Sequence, residues 1–126
     1  MSMFYVSTNL SHQAGDGSTE SYVTLPIAAR LNSVRLCPNV AVTADNTNYV
    51  TFKVIDNGAT DIFEQNTQIS GDGSLVAGTP VTVTLDAAAD YDFAAGEVVR
   101  LRVADSASGA SCSFTVVYEF AAARSY

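Results

Sequence analysis

The residues of this chain that could carry out chemistry are few and scattered. His12 is the only histidine, and it stands in the polar stretch NLSHQAGDGSTE. If His12 had a catalytic role, it would act as a general base, but the sequence around it shows no Ser or Cys pattern that would supply a nucleophile. We expect a solvated loop histidine, and we predict that the chain is not an enzyme.

Two acidic features invite comparison with known kinds of site. The string GDGS occurs at 15–18 and at 71–74, and each copy supplies one carboxylate. A calcium loop needs several oxygen ligands at fixed spacing, so turn formation is the expected role of both strings.

Four further carboxylates lie close together in sequence: Asp86, Asp90, Asp92 and Glu97. A glycosidase would need two of them in an aromatic-walled cleft. Because the chain has no Trp, we interpret them as solvated loop acids and predict no catalytic residue, metal or cofactor.

The two cysteines, Cys37 and Cys112, lie far apart in sequence and both fall in predicted strands. Free cysteines behave as small apolar residues, so two buried thiols are the simplest interpretation. A disulfide between the strands is the alternative, and it requires the two Cα atoms to lie within about 7 Å. A metal pair is not expected, since no cluster of His or Cys accompanies them.

Length and charge restrict the classes of function. A chain of 126 residues fits one domain, here residues 1–126 with short N-terminal and C-terminal extensions. Thirteen acidic residues against six scattered basic ones give a net charge of −7, which disfavours nucleic acid as a ligand. No apolar run approaches the roughly 20 residues of a membrane helix, and no signal peptide is recognisable. We therefore expect a soluble chain with no membrane partner.

The clearest structural signal is the segment Tyr49–Asp56. Alternate side chains, Val50, Phe52 and Val54, are apolar, and the residues between them are polar or amphipathic. This period of two is typical of a half-buried strand. Asn57 and Gly58 follow and predict a tight hairpin turn.

The same pattern recurs along the rest of the chain. We predict further strands over Phe4–Thr8, Glu20–Leu25, the run RLNSVRLC ending at Pro38, Asp61–Gln68, Thr79–Leu85, the segment around Val99–Val103 and the segment around Phe114–Phe120. In RLNSVRLC the phase changes, which predicts a β-bulge near Asn32 or Ser33. A helical turn is expected within DAAADYDFAAG.

Seven or eight short strands without a helical period predict an all-β fold. We expect an antiparallel β-sandwich of about eight strands, in the form of a jelly roll.

Two sets of residues are candidates for a protein interface. Tyr49, Lys53, Arg100 and Arg102 are predicted on polar strand faces, and Arg and Tyr often anchor interfaces. Ordinary surface is the alternative interpretation. The termini supply the second set: Phe4, Tyr5, Arg124 and Tyr126. Here Met3–Val6 is apolar enough to add a strand to a neighbouring molecule.

Part of the chain resembles a known family. The run VRLCPNVAVTADNTNYVTFKVID, then SLVAGTPVTVTLD, DFAAGEVVRLRVADSASGA and SFTVVYEF are similar to the small head-decoration (cement) proteins of tailed bacteriophages. The similarity extends over roughly Val34–Phe120. PNVAVTADNTNYVTF and AAGEVVRLRV are its most specific pieces.

This resemblance implies a β-sandwich that binds the outer surface of the assembled capsid and strengthens it against internal DNA pressure. It further implies the major capsid protein as partner, a homotrimer at threefold positions, and a place on the outside of the virion after synthesis in the host cytoplasm. The sequence departs from the family in its two cysteines and its polar first loop.

A glycan-binding module of a phage fibre or head is the alternative function. It predicts a groove lined with aromatic side chains, for which the candidates are Tyr22, Tyr49, Tyr91 and Tyr118.

Overall fold

The structure is a computed structural model that describes residues 2–56, 60–86 and 91–122. Its regular elements are β1 (Met3–His12), β2 (Ser18–Thr24), β3 (Ala29–Pro38), β4 (Tyr49–Ile55), β5 (Asp61–Asn66), β6 (Asp92–Phe93), β7 (Val98–Ser106) and β8 (Cys112–Ala122). Nothing helical in these ranges is long or apolar enough to cross a membrane.

The eight strands form two four-stranded sheets. Sheet I has the order β1-β8-β3-β6, sheet II has the order β2-β7-β4-β5, and their strand pairs are antiparallel. Their apolar faces pack together, with the ring centroids of Phe52 in β4 and Phe114 in β8 5.1 Å apart. The predicted antiparallel β-sandwich is therefore confirmed. The jelly roll stays a prediction, with which these strand orders are compatible.

The core follows from the alternation of the strands. In β4, Val50, Phe52 and Val54 are fully buried, whereas Tyr49 and Lys53 on the opposite face are partly exposed. In β8 the same alternation extends over most of eleven residues. Because successive side chains of a strand point to opposite faces, each sheet has one buried face and one solvent-exposed face.

The predicted bulge in β3 is confirmed. Leu31 pairs with Phe120 and Ser33 pairs with Glu119, so Asn32 is the extra residue on β3. The insertion lets Leu31 and Val34 both point into the core, at 2% and 6% exposure. This explains the change of phase in the sequence.

The predicted first loop is wrong in its extent. The polar stretch NLSHQAGDGSTE was expected to form the first long loop, with the next strand from Glu20, but β1 continues to His12 and β2 begins at Ser18. Only residues 13–17 connect the strands, and they cross from sheet I to sheet II. The alternation of β1 persists through its polar half, where Leu10 and His12 are both buried.

The predicted strand at Thr79–Leu85 is also wrong. Its side chains do alternate, but the backbone makes a single bridge, between Val81 and Leu36 of sheet I. Further on, the N–H of Asp86 donates to the carbonyl of Ile62 in sheet II. The segment crosses from one sheet to the other, so it cannot pair along either of them.

Two expected turns lie wholly or partly outside the described residues. The Asn57-Gly58 turn is one, although the flanking strands β4 and β5 do pair antiparallel as a hairpin requires. The helical turn expected within DAAADYDFAAG includes residues 87–90, which are likewise not described. In the same segment Asp92–Phe93 forms β6, which pairs with Ala29 and Arg30 of β3.

We predict that the contact between Phe52 and Phe114 contributes strongly to stability. Phe114→Ala should lower the free energy of unfolding by about 3–5 kcal/mol, because it leaves a cavity between the sheets. Ile69→Ala, at a position that is 64% exposed, is the matched control and should change it by less than about 0.5 kcal/mol. Urea unfolding curves measure both, and equal effects would contradict the prediction.

Candidate interaction surface

Four of the predicted interface residues lie on one surface. Tyr49 and Lys53 of β4 and Arg100 and Arg102 of β7 are on the outer face of sheet II, where β4 and β7 are neighbours. We call this surface, with its acidic neighbours Glu20, Asp61 and Glu64, the charged face. Both strands are central in the sheet, so their backbones are held on two sides.

Glu20 organises one half of the charged face. Glu20 lies on β2, opposite Arg102 of the neighbouring strand β7. Its carboxylate oxygens are 3.4 Å from a terminal nitrogen of Arg100 and 3.9 Å from Nε of Arg102. The hydroxyl of Tyr22 donates a hydrogen bond of 2.5 Å to the same carboxylate, which raises the pKa of Tyr22. The Glu20 carboxylate therefore interacts with two guanidinium groups and with the hydroxyl of one tyrosine.

Lys53 organises the other half. Its Nζ is 3.0 Å from Oδ2 of Asp61 and 3.7 Å from Oε2 of Glu64, both on β5. The hydrogen bond to Asp61 raises the pKa of Lys53 above its ordinary value, against the opposing effects of partial burial and of nearby Arg102. Lys53 stays protonated at any physiological pH.

Lys53 and Arg102 are direct cross-strand neighbours. Like charges in that arrangement oppose each other, so the acids on β2 and β5 are needed on either side. The next outward-facing pair along the strands is Thr51 and Ala104, whose small side chains leave an open depression beside the two cations. Within the described part of the chain, Arg102 has no contact to an acid closer than the 3.9 Å from Glu20.

The other four predicted interface residues are not part of this surface. Phe4 points into the sandwich and stacks on Phe120, with ring centroids 5.3 Å apart. Tyr5 lies on the outer face of sheet I, is 65% exposed, and has its pKa raised by a hydrogen bond with Glu119. Arg124 and Tyr126 lie outside the described residues. The structure thus places Tyr49, Lys53, Arg100 and Arg102 on one surface, and the predicted interface residues of β1 lie elsewhere.

The interpretation of His12 as a solvated loop residue is wrong. It is the last residue of β1 and only 1% exposed. Its Nε2 lies 2.7 Å from Oδ1 of Asp105 and its Nδ1 lies 2.8 Å from Oγ1 of Thr19. The sequence signal was the period of two, because His12 has the same phase as the core residue Leu10.

Asp105 ties the 13–17 loop to sheet II. Its Oδ2 accepts hydrogen bonds of 3.0 Å from the backbone N–H groups of Gly15 and Gly17, both of which have positive φ angles. Burial of the carboxylate favours its neutral form, but the hydrogen bonds from His12 and from the two glycines outweigh it and lower the pKa of Asp105. The predicted turn role of the first GDGS string is confirmed, and its anchor is Asp105.

Both cysteines are free thiols, so the disulfide alternative is excluded. Cys112 is buried directly opposite His12, and burial together with the charge of Asp105 raises its pKa to about 12. Cys37 is partly exposed.

The four tyrosines of the glycan-binding hypothesis do not line one groove. Tyr118 is fully buried in the core, and Tyr91 lies beneath the guanidinium of Arg30, 5.7 Å from its ring centroid. Tyr22 and Tyr49 share the outer face of sheet II, but they lie at opposite ends of β7, roughly 20 Å apart by strand rise.

Within residues 2–56, 60–86 and 91–122, no three side chains of His, Cys, Asp or Glu group as metal ligands. Comparison with protein-family models, with curated proteins and with solved structures found no match to this chain. The interpretation of function therefore depends on the residues themselves.

We predict that the Asp105 network makes stability depend on pH. Since the pKa of Asp105 is lower in the folded chain than its ordinary value of 3.8, its contribution is complete above that value and is lost as pH falls through the folded-state pKa. Asp105→Asn should lower the free energy of unfolding by about 1–3 kcal/mol at pH 7, because it removes a buried acceptor.

The difference between the wild type and Asp105→Asn should shrink below about pH 3.8, as measured by urea unfolding between pH 5 and 2. Asp92→Asn is the control, because the ion pair of Asp92 with Arg30 is largely exposed. A difference that stays constant across this range would count against the assignment.

We also predict a difference in thiol reactivity. A thiol-specific reagent near pH 8 should modify Cys37 in the folded chain while Cys112 remains unmodified, because only the thiolate reacts. Mass spectrometry of single-cysteine variants distinguishes the sites. Equal rates of modification would show that β8 opens readily at Cys112.

Proposed function

We propose that this chain is a structural virion protein, a capsid decoration (cement) protein that binds the outer surface of a phage head and stabilises it. One observation carries the proposal. The two most specific pieces of the resemblance, PNVAVTADNTNYVTF and AAGEVVRLRV, end in the neighbouring strands β4 and β7. The second piece contains Arg100 and Arg102, and Lys53 directly follows the first. The similar segments therefore meet at one surface.

The charged face is the capsid-binding surface in this proposal. It presents Arg and Tyr side chains on a rigid sheet, and those residue types are enriched at interface hot spots. Its own acids hold the cations in place, and the neighbouring depression leaves room for a side chain of the major capsid protein. Contacts of this kind are individually weak, but their repetition on a shell multiplies the effect.

The proposal includes a homotrimer at threefold positions on the capsid, on the outside of the virion, after synthesis in the host cytoplasm. A ring of three copies uses a contact between two different surfaces of the same chain. Mass measurement on the purified chain and imaging of the decorated particle both test this part. A monomer in both settings would refute it.

The glycan-binding alternative receives no support from the positions of its tyrosines. Among the described residues, His12 with Asp105 is the pair that would be examined first for an enzymatic role, as a histidine base held by a carboxylate. Both side chains are almost completely buried, with 0% and 3% exposure, and their hydrogen bonds stabilise a loop. Neither function is therefore preferred to a structural role.

We predict that the purified chain binds phage heads that lack it and raises the temperature at which they release DNA. Arg102→Ala should weaken this binding by roughly tenfold, the loss expected of a moderate hot spot, since the side chain is accessible and weakly paired. Co-sedimentation with such heads measures the affinity.

Arg35→Ala is the matched control, because Arg35 is exposed on the outer face of sheet I. The control should bind as the wild type does. If the wild type neither binds nor stabilises the heads, the decoration function is wrong. If both variants bind normally, only the assignment of the charged face is wrong.

A further inference from the structure

The strand β1 forms one edge of sheet I. It pairs with β8 in an unbroken register from Met3 opposite Ala121 to His12 opposite Cys112. On its other side, the described part of the chain supplies no neighbouring strand in sheet I. Ten residues of β-strand backbone therefore present one open edge, and such an edge is a template for pairing with another strand.

This edge lacks most of the usual protection. Proteins block open edges with charged side chains, prolines, bulges or very short strands. The sequence of β1, MFYVSTNLSH, contains no Asp, Glu, Lys, Arg or Pro, and each of the other seven strands contains at least one charged residue. The other sheet edges are protected, since β2 carries Glu20, β5 carries Asp61 and Glu64, and β6 has two residues.

The apolar face of β1 is also incompletely covered. Phe4 and Val6 point towards the core and pack against it, but both are only partly buried. Their cross-strand neighbours on β8, Phe120 and Tyr118, are fully buried. An additional strand beside β1 would cover Phe4 and Val6, so backbone pairing and apolar burial both favour an added strand at this edge.

We propose that β1 is a strand-addition site whose occupant is β1 of a second copy of this chain. The two strands run antiparallel about a two-fold axis at Ser7, which joins the two copies of sheet I into one continuous sheet. In this register Phe4 of one copy faces Leu10 of the other and Val6 faces Thr8. Inward-facing residues thus meet inward-facing residues, as the alternation of a strand requires.

The uncharged sequence of β1 favours an uncharged strand as the occupant, and among the eight strands of the described residues β1 itself is the one without Asp, Glu, Lys or Arg. The chain carries a net charge of −7, so most contacts between two copies bring acidic surfaces together. The edge of β1 lets two copies pair without placing charged residues of the two strands opposite each other. Self-pairing at this edge therefore adds no local contact between like charges to the repulsion of the two acidic copies.

This inference goes beyond the proposed function and does not depend on it. A two-fold contact uses the same surface on both copies, whereas a ring of three uses two different surfaces. Strand addition at β1 thus leaves the charged face free, and it operates in addition to the contacts of a trimer.

The test uses the purified full chain in a concentration series. Sedimentation equilibrium should show reversible two-fold association, and hydrogen exchange should slow at the β1 amides as concentration rises. Ser7→Lys places two lysines opposite each other at the two-fold axis, so it should weaken the association by roughly tenfold or more. Ser7 is exposed and points away from the core, so the fold should be retained, which circular dichroism checks.

Thr82→Lys is the matched control. It introduces the same charge at an exposed position next to Val81, which bridges to β3 on the side of sheet I away from β1. The control should associate as the wild type does. The proposal is overturned if the wild type shows no such two-fold association, if Ser7→Lys associates equally well, or if association leaves exchange at the wild-type β1 amides unchanged. A β1 protected only by another protein would also overturn it.

Discussion

The packing of two dry sheet faces against each other is the constraint on which the rest of this structure depends. Phe52 from sheet II and Phe114 from sheet I meet at its centre. Each strand must place alternate residues in this layer, so its polar residues are forced onto the outer faces or into the connections. The bulge at Asn32 shows how strict the requirement is, because β3 gains a residue to keep its apolar side chains inside.

Charged residues have two distinct roles around this core. On the charged face, Lys53 and Arg102 are partly exposed; Lys53 pairs with Asp61, and Arg102 shares Glu20 with Arg100. At the end of the sandwich, His12 and Asp105 are buried and satisfied by each other and by the 13–17 loop. Their hydrogen-bonding capacity is used to connect the two sheets, which stabilises the fold and leaves little for a ligand.

A sandwich of this kind offers faces and edges to partners. We propose an unlike partner for the charged face, because its cations and small-residue depression offer room for side chains from another protein. We propose a like partner for the open edge of β1, because two copies of this strand place no charged side chains opposite each other. Repeated weak contacts of these two kinds would together attach a protein to a lattice and connect it to its neighbours.

Local pattern in the sequence determined which residues of most strands point inward, because strand side chains alternate whatever the partner strand is. It also located the bulge and four of the residues of the charged face, Tyr49, Lys53, Arg100 and Arg102. It did not place His12 correctly, since its partner Asp105 is 93 residues away and a polar stretch ending in a buried histidine resembles a loop. Nor did it show that the alternating Thr79–Leu85 segment crosses between the sheets. Only the tertiary structure decided which strands are neighbours, and hence that Lys53 lies beside Arg102 and that β1 has an open edge, because strand pairing joins segments that are distant in the chain.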